Sequence, residues 1–389
     1  MRTQVAYPVE RWVNRLQGVG LYCFGPLTWR RVTHRIWSRS DDTVFRVAAV
    51  FVAVAAVVGY GATARQSPQA RTAFATQIAS LSEPNGYFDT DNLISNERSY
   101  LEVLPELDQR NVRGGAYIGV GPDQNFSYIA HIRPSVAFIL DIRRDNLLLH
   151  LLFKAIFQQS RTRVEYLALL FGRAVPADIE PWREAPVTRL VEYMRRPELD
   201  AKSLEALQLR LDGVLKGFGV PLSPDDIQRI DQFHRRFVEG GLALQFQSAG
   251  RPPQSYYPTY EDLLLETDGK GNQRNYLASE DAFQFVKSLQ QHDRIIPVVG
   301  NLSGPSALAA IGRVLGEKGE TLSAFYASNV EFYLDRQGSY QRFVSNLGRV
   351  PHTSRSVVIR SRFNRGFGGG STSEVQSVEK LLAETAVSR

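Results

Sequence analysis

Gly119-Val120-Gly121 and Asp141 are the residues whose types and spacing carry the clearest chemistry. A Gly-x-Gly step between a strand and a helix lets the backbone bend sharply. It also lets a ligand approach the helix N-terminus, whose free N–H groups favour anionic or polar groups. Asp141 follows Gly121 by 20 residues, at the tip of the next apolar run. A carboxylate there accepts hydrogen bonds from both hydroxyls of a ribose. The pair predicts a nucleoside-containing ligand; the plain alternative is a tight turn beside an exposed strand-end acid. Where a dinucleotide fingerprint carries its third glycine, this chain has Asp123 and Gln124. Asp123 would repel a pyrophosphate, which argues against NAD or FAD and for a cofactor without phosphate. S-adenosylmethionine fits, because its amino group welcomes an acid.

The elements that must position these residues are legible as alternation. Short apolar runs at 116–120, 136–140, 295–299, 322–327 and 356–360 read as strands, and the run at 136–140 is apolar throughout, as in a strand buried on both faces. A helix is expected after Gly121 up to Pro134, a long amphipathic one over 147–171, and others over 304–319 and 339–347. Strands alternating with helices imply a mostly parallel sheet with right-handed crossovers. The expected fold is α/β, a doubly wound, mostly parallel, five-stranded Rossmann-like sheet with a large helical insertion and an N-terminal apolar helix. Its parts are a basic N-terminal region (1–66), a first Rossmann-like part (67–173), a helical insertion or cap (174–290), a second Rossmann-like part (291–363) and a flexible tail (364–389). Within the insertion, leucines at 204, 207, 211 and 215 have helical spacing, and Ser223-Pro224-Asp225-Asp226 is a capped helix start that Gly240-Gly241 ends.

The strings GVGPDQNFSYIA (119–130), DIRRDN (141–146), SNVEFYL (328–334) and LSEPNGYFDTDNLISNE (81–97) carry a resemblance. From about Phe74 to Phe363 the chain resembles an uncharacterised bacterial family classed as methyltransferase-like. The resemblance implies a class I methyltransferase-like fold with S-adenosylmethionine as the cofactor. It matches Gly119 and Gly121 to the glycine-rich first motif, with Asp123 and Asn125 in the same stretch, and Asp141 to the ribose-binding acid. Asn301 falls where many methyltransferases place an acid near the adenine amino group. Ser328-Asn329-Val330-Glu331 falls at the fourth motif, beside methyl donor and acceptor. This implies Ser328 as a cofactor contact, Asn329 as the group that orients the acceptor and Glu331 as the base. Tyr117 and Asn301 depart from the pattern, since such enzymes commonly carry acids there. They motivate a second reading, a non-catalytic membrane-anchored or exported binding or scaffold protein that keeps the fold.

Charge and composition narrow the partners. The 389 residues are 43% apolar, too many for a disordered chain. The formal charge is +6, but residues 1–46 hold eight Arg against three acids, so the remainder of the chain carries only +1. That balance makes nucleic acid an unfavoured partner and leaves a small molecule, a lipid or a protein as acceptor. Cys23 is the only cysteine, which excludes an intrachain disulfide and Cys-based zinc sites. The six histidines are scattered without metal-ligand spacing, and no metal is expected. Residues 47–64 form an uncharged run behind several arginines, about 27 Å long as a helix. A membrane anchor or an exported segment is expected there, with Ala62-Thr63-Ala64 as a cleavage pattern. A buried Ala/Val-rich helix in a cytoplasmic protein is the alternative.

Overall fold

The computed structural model describes residues 68–248, 250–363 and 371–387. The chain divides into two units, Met1–Ala64 and Arg65–Arg389. The apolar run 47–64, and with it the expected N-terminal apolar helix, lies outside the described residues. Among the described residues no helix is long and apolar enough to cross a membrane.

Six strands form one sheet: β1 (Ala116–Gly119), β2 (Val136–Asp141), β3 (Ile295–Val299), β4 (Leu322–Ser328), β5 (His352–Phe363) and β6 (Ser371–Ser377). Their spatial order is β3-β2-β1-β4-β5-β6, parallel except for the antiparallel β5–β6 pair. The first three strands are buried at every residue, as their continuous apolar runs require. The chain lays β2 and β3 on one side of β1, then crosses to place β4 and β5 on the other. The direction reverses between β1 and β4, and crevices form beyond the carboxyl ends of strands at such a reversal.

The sheet has six strands rather than the expected five, because β6 lies in the stretch read as a flexible tail. Ser371–Ser377 contains a single apolar residue, Val375. An edge strand with polar side chains leaves no apolar alternation to read. It is held instead by the β5 ladder and by Ser371 and Ser373 hydroxyls at 2.9 and 3.1 Å from Ser99 Oγ.

The stretch expected as one helix over 147–171 is two, Arg144–Gln159 and Arg163–Leu170. Thr162 and Glu165 form a reciprocal capping box that restarts the helix. The first of these helices is buried along most of its length. Phe126, from the helix Gln124–Ile132 that follows β1, meets Phe153 and Phe157 edge-on at 5.7 and 5.5 Å. The insertion contributes helices Val187–Met194, Ala201–Gly217, Pro224–Gly240 and Tyr260–Leu265. Buried Arg163 ties its two ends together, donating to the carbonyls of Leu277 and Ala278 and to that of Arg183, each at 2.9 Å. Helix Glu280–Gln291 packs on Gln124–Ile132 and Arg144–Gln159, and so belongs to the layer covering the sheet.

Candidate functional site

A crevice lies at the sheet's reversal point, across the carboxyl ends of β1 to β4. Gly121, Asp141, Asn301, Ser328 and Asn329 all line it. Residues 207 positions apart in sequence thus share one cavity, as the strand order requires. Its volume is about 110 Å3, below the roughly 300–1,000 Å3 usual for ligand pockets. A nucleoside therefore enters only if the rim gives. That rim is aromatic: Tyr87 is 79% exposed, Phe88 meets Tyr333 edge-on at 4.8 Å, and Phe246 comes from the insertion. Of the aromatic run 256–260, Tyr257 backs Phe246 at 4.8 Å, whereas Tyr260 turns into the core.

Gly121 has φ +90°, a conformation that a side chain would strain. His150 Nε2 lies 2.9 Å from the Gly121 carbonyl oxygen. Burial pushes the His150 pKa down to about 4, so the ring is neutral and its Nε2–H donates to that carbonyl. Sequence reading passed over His150 as one of six scattered histidines.

Four expected site residues do not face the crevice. A Cβ on Gly119 would lie 1.9 Å from Asn125 Oδ1, so this glycine makes room for a side chain rather than a ligand. Asn125 is fully buried. It donates to the carbonyls of Val120 and Pro122 at 2.9 and 2.8 Å, and it accepts from the Tyr117 hydroxyl at 2.8 Å. Tyr117, where an acid was expected, thus helps brace the loop from within. Asp123 turns away from the crevice into the interior, where the hydroxyls of Tyr260 and Tyr276 donate to it at 2.5 and 3.1 Å. Burial raises its pKa to about 6, against the lowering effect of those two bonds.

Glu331 is the fourth. It faces a neighbouring pocket with Tyr340, Arg360 and Ser361. Both its oxygens bind Arg360, Oε2 to Nε at 3.0 Å and Oε1 to Nη2 at 3.0 Å. Burial raises its pKa and Arg360 opposes that rise. Arg360 thus takes two of the roughly four acceptor positions of this carboxylate, and the group opens on the neighbouring pocket rather than on the crevice.

Asp141 does line the crevice, but Arg143 grips it. The Arg143 backbone N–H and Nε donate to Oδ1 at 2.9 and 3.0 Å, and Nη2 donates to Oδ2 at 2.9 Å. Three of about four acceptor positions are taken, so Oδ2 can accept from one ribose hydroxyl rather than two. Arg144, the next residue, pairs with Asp226 at 2.8 Å. Asn301 is likewise half committed: its Oδ1 accepts from the backbone N–H and the hydroxyl of Ser303, at 2.9 and 3.0 Å. What it offers a ligand is its amide N–H. Glu83 sits under the same loop and accepts from the N–H groups of Asn301, Ser306 and Ala307 at 3.0, 2.8 and 2.8 Å.

The resemblance marks Ser328 and Asn329 as site residues, but not Gln124 or Glu97. Gln124 Oε1 and Asn329 Nδ2 are buried without a partner, and both residues line the crevice. Ser328 holds φ +52° at the end of β4 and donates to Glu97, which is fully buried. No local pattern marks Gln124 or Glu97, because their surroundings depend on residues far off in the chain.

A family model described as a domain of unknown function (DUF7790) matches residues 93–180 and 253–383, more than half of the chain. The chain belongs to this family. The DUF7790 segments carry Glu97, Gly121, Asp141, Asn301, Ser328 and Asn329, while the stretch between the segments, 181–252, holds most of the helical insertion. No curated protein matches the chain.

Proposed function

We propose that the crevice binds the nucleoside portion of S-adenosylmethionine and that the protein is a methyltransferase-like member of its family. One observation carries this reading: Gly121, Asp141, Asn301 and Ser328 converge at the reversal point beside two buried polar groups without partners. An unsatisfied buried donor or acceptor costs roughly 1–3 kcal/mol. A ligand that accepts from Asn329 Nδ2 and donates to Gln124 Oε1 recovers that cost. The amino-acid end of S-adenosylmethionine has both kinds of group. Gly121 would admit the ligand to the loop backbone, the remaining lone pair of Asp141 Oδ2 would take one ribose hydroxyl, and the Asn301 amide would face the base. When bound, the cofactor supplies an electrophilic methyl group on a sulfonium. The chain's part in transfer is alignment and exclusion of water. The acceptor is a small molecule, lipid or protein reached past the aromatic rim.

The second reading is a binding or scaffold protein with the same crevice and no chemistry. One observation favours it: Asp141 and Glu331 are both held by arginines. In this second reading residues 47–64 would serve as an anchor or exported segment. An exported body would meet little cytoplasmic S-adenosylmethionine, so that role favours the second reading too. Sequencing the N-terminus of the native protein tests cleavage after Ala64.

Calorimetric titration with S-adenosylmethionine and S-adenosylhomocysteine tests the proposal. One site per chain is expected for each ligand. No heat at millimolar ligand would remove the methyl-donor reading.

A further inference from the structure

Glu97 is a carboxyl group that the site as described does not use. It is fully buried at the end of the segment 81–97. The Tyr326 hydroxyl donates to its Oε2 at 2.6 Å, the Ser328 hydroxyl donates to Oε1, and Ser361 stands within reach. Among the described residues no lysine, arginine or histidine pairs with it. The titratable groups facing it are tyrosines: Tyr326 from β4, Tyr117 from β1 and Tyr128 from the helix after β1. Its chain neighbour Arg98 pairs with Asp262, and Arg360, next to Ser361, pairs with Glu331. A buried carboxylate without a cation is expensive, and neutralisation is the usual escape. Burial does push the Glu97 carboxyl upward, opposed by the bonds from Ser328, Tyr326 and Ser361. Ser328, its link to the crevice, sits in a strained backbone conformation on the crevice wall.

We infer that Glu97 is a proton-holding positioning residue that reads ligand charge through Ser328: it keeps its proton when the crevice holds a neutral ligand and releases it to solvent when a cationic sulfonium is seated there. The inference rests on the methyl-donor reading above. The balance is simple: the carboxyl becomes a carboxylate, one proton passes to buffer, and the new anion compensates the ligand's positive charge. S-adenosylmethionine carries that charge, whereas S-adenosylhomocysteine, a thioether, lacks it. Affinity for the sulfonium then rises with pH until Glu97 is already ionised in the free protein, and affinity for the thioether does not follow.

The test is calorimetry of the full chain with both ligands, each in two buffers of different ionisation enthalpy, which counts protons released. Wild type is expected to release up to one proton with S-adenosylmethionine and close to none with S-adenosylhomocysteine. The Glu97→Gln variant is expected to release none with either while still binding both. Equal release with the two ligands, or release that survives Glu97→Gln, overturns the inference and leaves the nucleoside site standing. If neither ligand binds, the inference and the methyl-donor reading fall together. Should Glu97→Gln not fold, infrared difference spectra of wild type with 13C-labelled glutamate read the group directly. The protonated-carboxyl band must then vanish with the sulfonium and persist with the thioether; a band unchanged by both overturns the inference.

Discussion

The Glu331–Arg360 pair makes the sharpest residue-scale prediction. Replacing Glu331 by Gln removes the charge paired at 3.0 Å with a buried guanidinium, which keeps its hydrogen bond to Gln376 Oε1 at 2.7 Å but only a longer ionic contact, 3.7 Å, to Glu374. Removing one partner of such a pair costs roughly 3 kcal/mol. Urea denaturation should show that loss, while affinity for S-adenosylhomocysteine stays within about twofold of wild type. A tenfold loss of affinity would place Glu331 in the binding site after all. Asp123 makes a second prediction. Its folded pKa of about 6 lies above the ordinary aspartate value of about 4, so the native state binds an extra proton between those values. Stability contributed by this group is full below about pH 4 and is lost as pH rises through 6, roughly 3 kcal/mol in all. Asp123→Asn keeps an acceptor for Tyr260 and Tyr276 and should flatten that part of the pH–stability curve. An unchanged curve would mean that the carboxyl is not buried as described. The positions of Gly121 and Asp141 were legible from spacing alone, since strand tips and helix starts are local. Their partners were not. Arg143 lies two residues from Asp141, yet nothing in the string says that its side chain folds back. Arg360 is 29 residues from Glu331, and Glu97 is 231 from Ser328.

At the scale of elements, the buried strands were readable because a strand covered on both faces must be apolar throughout. β6 was unreadable for the converse reason: it is an edge strand whose side chains are polar. The helix Ala307–Glu317 shows how a distant loop completes an element. Its N-terminus is capped by Glu83 rather than by its own N-cap side chain. Burial raises the Glu83 pKa, but the bonds from Asn301, Ala307 and Ser306 outweigh it and hold the group below its ordinary value. Carboxylates are favoured at helix N-termini. Glu83→Ala should therefore cost about 2 kcal/mol in denaturant unfolding, as lost charge-assisted bonds do. It should also loosen the Asn301 loop, speeding amide exchange at Asn301 and Ser306. Unchanged exchange there would contradict the capping role. For this depressed pKa the stabilising effect is present at neutral pH and fades as pH falls through the folded value.

Over the whole molecule, the family match covers the strand-end wall of the crevice, whereas the rim residues Tyr87, Phe88 and Phe246 lie outside it. The two matched segments hold β1 to β6, and the helix Pro224–Gly240, outside them, adds Arg229, Arg235 and Arg236 to an adjoining groove of about 740 Å3 that Arg143 and Asp145 also line. Tyr87 and Phe88 line both spaces, so their movement would join groove and crevice. The central claim is that a nucleoside sits at the sheet's reversal point and not in the groove. Hydrogen exchange read by mass spectrometry, with and without S-adenosylhomocysteine, tests this most directly. Slowed exchange is expected in peptides covering Gly121, Asp141–Arg143 and Asn301. Protection confined to peptides around Arg229–Arg236, or none at saturating ligand, would contradict it.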